Sequence, residues 1–193
     1  MDPGATRPRR KNDPTALRRR VLDAAYALFQ AQGYNATSVQ ELAAVAKVTG
    51  GALHHHFATK KAVGLAVIRE RVAPAVEETW LEPVRSASDA RHGILAVFEG
   101  LAEDLDRNGA VRGCPVNNLT LELAFADPDF RSELRALFDR WRSTLVTAIG
   151  KGAEAERLAA MVVASYSGAM AIAKVEQRGE PLRLCARELE RLL

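Results

Sequence analysis

Thr37-Ser38-Val39-Gln40-Glu41-Leu42-Ala43-Ala44-Val45-Ala46-Lys47-Val48-Thr49-Gly50-Gly51-Ala52-Leu53-His54-His55-His56-Phe57 is the stretch on which the fold turns. Ser38 followed by Glu41 forms an S-x-x-E capping box, in which hydroxyl and carboxylate each accept from the other's backbone N–H. Leu42 and Val45 supply an apolar face behind the cap. Val48 is a turn residue of the kind that plugs a small core, and Thr49 is a good N-cap for a second short helix, Gly50 to Phe57. Two short helices joined by a tight turn, the second small and polar outside, is the helix-turn-helix layout. The second helix of such a pair enters the major groove, which is wide enough for one helix. Its first residues come closest to the duplex, and Thr49, Gly50, Gly51 and Ala52 are all small. Backbone N–H groups at a helix start favour phosphate oxygens. Lys60 and Lys61 follow directly, with charge suited to the phosphate backbone.

Outward from this stretch nearly everything reads as helix. Leu17, Val21, Ala25, Leu28 and Phe29 fall on one stripe of a helix that begins near Pro14 and ends at Gly33. Thr59 caps a fourth helix, running through Lys60 to about Val72 or on to Trp80, with Pro74 expected to end or kink it. Further helices are predicted from Asp89 to Asn108, Cys114 to Phe125, Asp127 to Ile149, Ala153 to Gln177 and Leu182 to Leu192. There is no convincing strand run, repeat or Gly-rich phosphate loop, so the fold class is all-α. The expected organisation is a disordered basic arm (1–13), a three-helix DNA-binding domain with the helix-turn-helix (14–58), a connecting helix (59–82) and a helical ligand-binding and dimerisation domain (83–193).

The 193 residues are 48% apolar and 26% charged, enough to bury a core. Net charge is +3, unevenly placed. Residues 1–61 carry ten Lys/Arg and four acids, a net of +6, and the rest carries 17 against 20, a net of −3. A basic head on a mildly acidic body fits a polyanion-binding segment joined to a part with another task. Two cysteines, Cys114 and Cys185, give neither a disulfide framework nor metal spacing and fit a reducing cytoplasm. By apolar runs no membrane span is expected, and the basic N-terminus lacks the apolar stretch of a secretory signal. No nucleophile elbow, zinc-protease motif or P-loop is present, so no enzyme and no cofactor are expected. Adjacent helical residues point about 100° apart, so His54, His55 and His56 do not converge on one ion, and no metal is expected.

The quoted stretch, with Thr59-Lys60-Lys61-Ala62-Val63, resembles the N-terminal domain of the tetracycline-repressor family over about residues 14–70. The resemblance implies a homodimer that binds a double-stranded operator through the third helix, most often as a repressor. It also implies a small-molecule inducer for the C-terminal helices, and a four-helix bundle of the last two long helices of each subunit. Carried onto these positions, Ser38 would touch phosphate, Gln40 base edges or backbone, and Thr49, Gly50, Gly51 and Ala52 would sit at the groove. His54, His55 and His56 would occupy the aromatic-rich end of the recognition helix, and Lys60 would hold phosphate. Lys47 stands where the family usually has Gly and adds a cation at the turn. His54 stands where it usually has Tyr. The alternative is a helical interaction or small-molecule-binding protein of the same fold without operator binding. The arm Arg7, Arg9, Arg10 and Lys11 suits either a minor-groove extension or a solvated tail.

In the body, Cys114 precedes Pro115 at a helix start beside Arg112, a setting that favours the thiolate. A subset of the family has a similar Gly-Cys-Pro segment, whose cysteine in some members resembles an electrophile or redox sensor. A small buried hydrophobe is the other reading of Cys114. Asn117, Asn118 and Glu122 share that otherwise apolar helix, and Asn118 and Glu122 share a face. These four, with Trp80, Phe98, Trp141 and Met161, form the expected ligand-binding set. Ala160, Ala164, Gly168 and Ala171 make a small-residue stripe that lets another helix approach closely, the expected dimer surface.

Overall fold

The computed structural model describes residues 13–193, which are helical with no strand among them. The arm residues Arg7, Arg9, Arg10 and Lys11 lie outside the described residues. Asp13, placed with the arm on sequence, is instead the N-cap of α1 (Pro14–Gln32): its carboxylate accepts from the N–H groups of Thr15 and Ala16 at 3.0 and 3.3 Å. Leu17, Val21, Leu22, Ala24, Ala25 and Phe29 form the buried face of α1, and Gly33 closes it.

The helix-turn-helix forms as α2 (Val39–Val45) and α3 (Gly50–His56). The capping box is present in both directions. The turn is a Schellman motif: Lys47 N–H donates to the Ala44 carbonyl and Val48 N–H to that of Ala43, at 3.1 and 3.0 Å. Lys47 therefore holds the left-handed conformation, φ 53°, that favours glycine. Val45 departs from expectation and is 50% exposed. The buried arc of α2 is Leu42, Ala43 and Ala46, and Val45 lies roughly 110° around the helix from its centre.

Pro74 neither ends nor breaks the fourth helix. α4 runs unbroken from Lys60 to Ser86 as the consecutive segments Lys60–Val67, Ile68–Val72, Ala73–Val76, Glu77–Leu81 and Glu82–Ser86. Before each internal proline the helix widens by one residue. Ala73 N–H donates to Ile68 five residues back, and Glu82 N–H does the same to Glu77. The Glu70 carbonyl, which Pro74 cannot serve, accepts from the Arg71 guanidinium at 2.7 Å. Arg18–Glu70 and Arg71–Asp23 ion pairs tie α4 to α1.

The body comprises α5 (Ala90–Asn108), α6 (Pro115–Leu123), α7 (Pro128–Ile149), α8 (Ala153–Glu176) and α9 (Glu180–Leu189). Asp89 and Asp127 cap α5 and α7, and Gly109 ends α5 in the left-handed region. One apolar core runs through head and body. Its joint is an aromatic relay, Phe29 to Tyr34 to Phe130, with edge-on rings 5.2 and 5.3 Å apart. Gly64 of α4 fits under this relay, and a Cβ there would stand 2.8 Å from both Tyr34 and Phe130.

α8 corrects the expectation drawn from apolar runs. It spans 24 residues, and its most apolar 18-residue window reaches a mean hydropathy of 1.6, long and apolar enough to cross a membrane by length and composition. The charges of α8 sit at its ends, leaving Leu158–Ala173 uncharged. The helix packs lengthwise against α7 and α9. Its outer face, open to solvent, is the small-residue stripe.

Candidate DNA-recognition face and ligand cavity

The start of α3 is stripped of bulk. Thr49 Oγ1 accepts from Ala52 N–H at 3.2 Å, which fixes the helix start. Nothing lies within 4 Å of where a Cβ on Gly50 or Gly51 would stand. Ser38, Gln40, Lys47, Thr49, Gly50, Gly51, His54 and His55 are each exposed, and His56 is half-buried. Ala52 packs partly against the mini-core of Leu42, Leu53 and Phe57, so it supports the surface as much as forming it. The result is a protruding helix end with free backbone N–H groups, a nearby cation at Lys47, and no acidic side chain in its first turn.

Lys60 corrects the sequence reading. Its ammonium turns back to donate to the Asn35 carbonyl at 3.3 Å and lies over the Tyr34 ring at 4.3 Å. Partial burial lowers its pKa, with Glu122 opposing that shift. Lys61, the other expected phosphate cation, pairs with Asp127 and Asp129 at the start of α7. Lys60 fastens the start of α4 to the loop after α1, and Lys61 fastens it to the body.

The expected ligand-binding residues divide into three groups. Trp80, Phe98 and Trp141 close around Tyr166, with Trp80 4.9 Å and Trp141 5.5 Å from its ring centre, in a fully buried aromatic cluster. Met161 is 48% exposed on the outer face of α8, on the side away from the core. Cys114 and Asn117 line a cavity of about 470 Å³ with Thr120, Leu121, Phe138, Ser167 and Met170, and Asn118 and Lys174 stand at its edge. Asn117 Nδ2 donates to the Ser167 carbonyl at 3.2 Å. A larger groove of about 1230 Å³ lies between α5 and α9. Its charges are matched, Arg91 with Glu190, Arg183 with Glu99 and Arg187 with Glu180, so the smaller, more apolar cavity is the better small-molecule site.

Of the two readings of Cys114, its burial supports the small buried hydrophobe. Burial pushes its thiol pKa up; the backbone N–H groups of Asn117 and Val116 and the Tyr166 side chain act the other way without overcoming it. Arg112 is exposed and not among the groups acting on the thiol. The same surroundings raise the Tyr166 phenol well above its ordinary value, first by burial and then by Cys114.

Glu122 is corrected in its partner. Its carboxylate accepts from the backbone N–H groups of Tyr34, at 2.8 Å, and Asn35, in the loop after α1. Asn118, one turn earlier, donates to Gln30 of α1 at 3.0 Å and to the Arg112 carbonyl at 2.9 Å. α6 thus touches the cavity through Cys114, Asn117 and Thr120 and grips the head through Asn118 and Glu122. The residues that sequence reasoning missed, among them Thr120, Leu121, Phe138, Ser167, Met170 and Lys174, come from three helices. Ser167, Met170 and Lys174 do share an i, i+3, i+7 face of α8, a signal hidden beside the small-residue stripe.

A helix-turn-helix head joined by a long helix to an all-helical body with an apolar cavity is the architecture of a DNA-binding regulator. The family model described as bacterial regulatory proteins of the tetR family matches residues 21–67, and that for LmrA/YxaF-like transcriptional regulator C-terminal domains matches residues 90–188. The chain belongs to the TetR family of transcriptional regulators. It is similar to the HTH-type transcriptional repressor DhaR of Mycobacterium sp. (strain GP1), 27% identical over 184 residues, covering 87% of each chain. It is also similar to the transcriptional repressor NemR of Escherichia coli (strain K12), 25% identical over 78% of this chain and 80% of that one. The crystal structure of a TetR regulator from Chloroflexus aurantiacus J-10-FL superposes with a TM-score of 0.80 at 28% identity, covering 92% of this chain and 94% of that one.

Proposed function

We propose that this regulator is a ligand-responsive repressor. It binds a palindromic operator as a homodimer, works in the cytoplasm, and is released by a small-molecule inducer. Its role is regulation rather than catalysis. The observation that carries the reading is the bare start of α3: Thr49 is exposed, and Gly50 and Gly51 have open space where a side chain would stand, as suits a helix end that approaches base edges. Ser38, Gln40, Lys47, His54, His55 and His56 surround it as contacts to phosphate and bases. DhaR and NemR, both named repressors, support the direction of control.

The dimer surface is the outer face of α8. Ala160, Ala164, Gly168 and Ala171 are exposed there. Beside them stand Met161, Ile172 and Val175, with Leu184 of α9, all large apolar residues open to solvent. A contiguous face of this kind is costly to leave wet and suits a second copy. Dimerisation sets two recognition helices one duplex turn apart, or a multiple of it. An inducer acts by favouring a conformer with another spacing. Two connections carry that change: α4, and α6 through Glu122 and Asn118.

Selection of bound duplexes from a random pool tests the proposal. A palindromic consensus with steeply salt-dependent affinity is expected. No sequence preference at any salt concentration would favour the same fold serving as a binding protein without an operator.

A further inference from the structure

The cavity beneath α6 has a chemical bias that narrows its ligand. Cys114, Leu121, Phe138 and Met170 give it an apolar body. Thr120 contributes a buried hydroxyl with no hydrogen-bond partner. A buried polar atom left unpaired is destabilising, and a ligand that engages it recovers that loss. At the edge stands the Lys174 ammonium. It donates only to the neutral Asn118 Oδ1, at 3.3 Å, and makes no ion pair among the described residues. Glu122 borders an adjoining recess with Lys174, but its carboxylate is held by the Tyr34 and Asn35 backbone. Most other cations of the body are already matched, as Arg91, Arg183 and Arg187 are. Lys174 is thus a cation at the rim of an apolar cavity, with its charge uncommitted.

We infer that this cavity binds a small amphipathic carboxylate, its apolar body against Cys114, Phe138 and Met170 and its carboxylate at Lys174. The volume, about 470 Å³, falls in the range of roughly 300–1,000 Å³ for small-molecule sites. The walls supply no acidic group to attract a cationic ligand, and Lys174 repels one. A neutral ligand of the same body would fill the cavity but leave Lys174 unengaged. The inference rests on the ligand-responsive reading above and assigns the inducer's chemical class.

Calorimetric titration of the full chain with octanoate, 1-octanol and octylamine tests it, since the three share one apolar tail. Octanoate is expected to bind about tenfold more tightly than octanol, with octylamine weakest. Lys174→Met should bring octanoate down to the affinity of octanol and leave octanol unchanged, while Lys174→Arg keeps the preference. Lys174→Gln serves the same purpose should the methionine variant fold poorly. Ser167→Phe, which fills the cavity, should remove binding of both probes while the thermal melt stays cooperative. Equal affinity for octanoate and octanol, tighter binding of octylamine, binding of none of the three, or a preference that survives loss of Lys174 would each overturn the inference. Operator release separates the two readings. Release by octanol as effectively as by octanoate defeats the carboxylate assignment alone. Octanoate bound through Lys174 with operator affinity unchanged defeats ligand responsiveness alone.

Discussion

Ser38 in the head and Glu122 in the body both accept backbone N–H groups, but they reach them at different ranges. Ser38 takes the amide of Glu41, three residues on. Thr49 and Thr59 do the same for Ala52 and Ala62, and Asp13 for Thr15. Glu122 takes amides 88 and 87 residues away. Asn118 reaches Gln30 across 88 residues, and the Gln177 side chain clamps both backbone groups of Val111 across 66. The recognition face is built from contacts within one helical turn, and the cavity and its link to the head from contacts across the whole chain. The first kind holds wherever the short sequence occurs. The second exists only once the helices have packed.

That contrast is broken most sharply at Gly51. A Glu side chain there meets open space, so Gly51→Glu should leave stability within about 0.5 kcal/mol. The same carboxylate would face phosphates and crowd the groove, costing at least about 2 kcal/mol of operator affinity, read by gel shift. Gly64→Ala is the opposite case. Its Cβ enters the Tyr34–Phe130 contact, and a loss of about 1–3 kcal/mol is expected in urea unfolding, despite alanine's better helix propensity.

Alkaline pH acts on the body. Burial holds the Cys114 thiol above its ordinary 9.0 and the Tyr166 phenol well above 10.0. The folded chain therefore keeps protons that the unfolded chain sheds above about pH 9. Stability from these groups is whole below that pH and falls as pH rises beyond it, by up to about 1.4 kcal/mol per unit for each group. Urea midpoints across that range should show the fall, and Cys114→Val should remove the thiol's share of it and leave that of Tyr166. The same burial makes Cys114 slow to alkylate at neutral pH, with the half-buried Cys185 modified first.

Glu122→Gln keeps one acceptor and loses the charge, so about 1 kcal/mol is expected, with faster amide exchange at Tyr34 and Asn35 and unchanged exchange in α8. The smallest effect is local to the head. Lys47→Gly relieves a left-handed lysine and should stabilise the chain by about 0.5–1 kcal/mol. It should also lower the salt slope of operator binding by about one, because a cation near the phosphates is lost.

The helix-turn-helix was legible for the reason that makes Ser38 and Thr49 simple: caps, small residues and the turn lie within about twenty consecutive positions. Helix ends were equally legible at Asp89, Asp127, Gly109 and Gly150, where the signal is a single residue type. The reading went astray where a local rule met a distant partner. Pro74 looks like a stop, but a widened turn and the Arg71 guanidinium carry α4 through it. Cys114 left a reactive thiol and a small buried hydrophobe open on sequence, and only the enclosure by Tyr166 and the core decides for the second. Lys60 looks free for phosphate, but Tyr34 and Asn35 claim it. Glu122 looked available to a ligand, and the loop after α1 takes it.

The sequence by itself determined the all-helical class, the helix-turn-helix, its caps and the uneven charge, because helix periodicity and capping depend on residues within a turn or two of one another. Tertiary structure alone decided which polar groups remain free. Lys61 and Glu122 are spent on the joint between head and body, while Thr120 and Lys174 are left facing a cavity, because a side chain's partners are settled by which helices pack beside it.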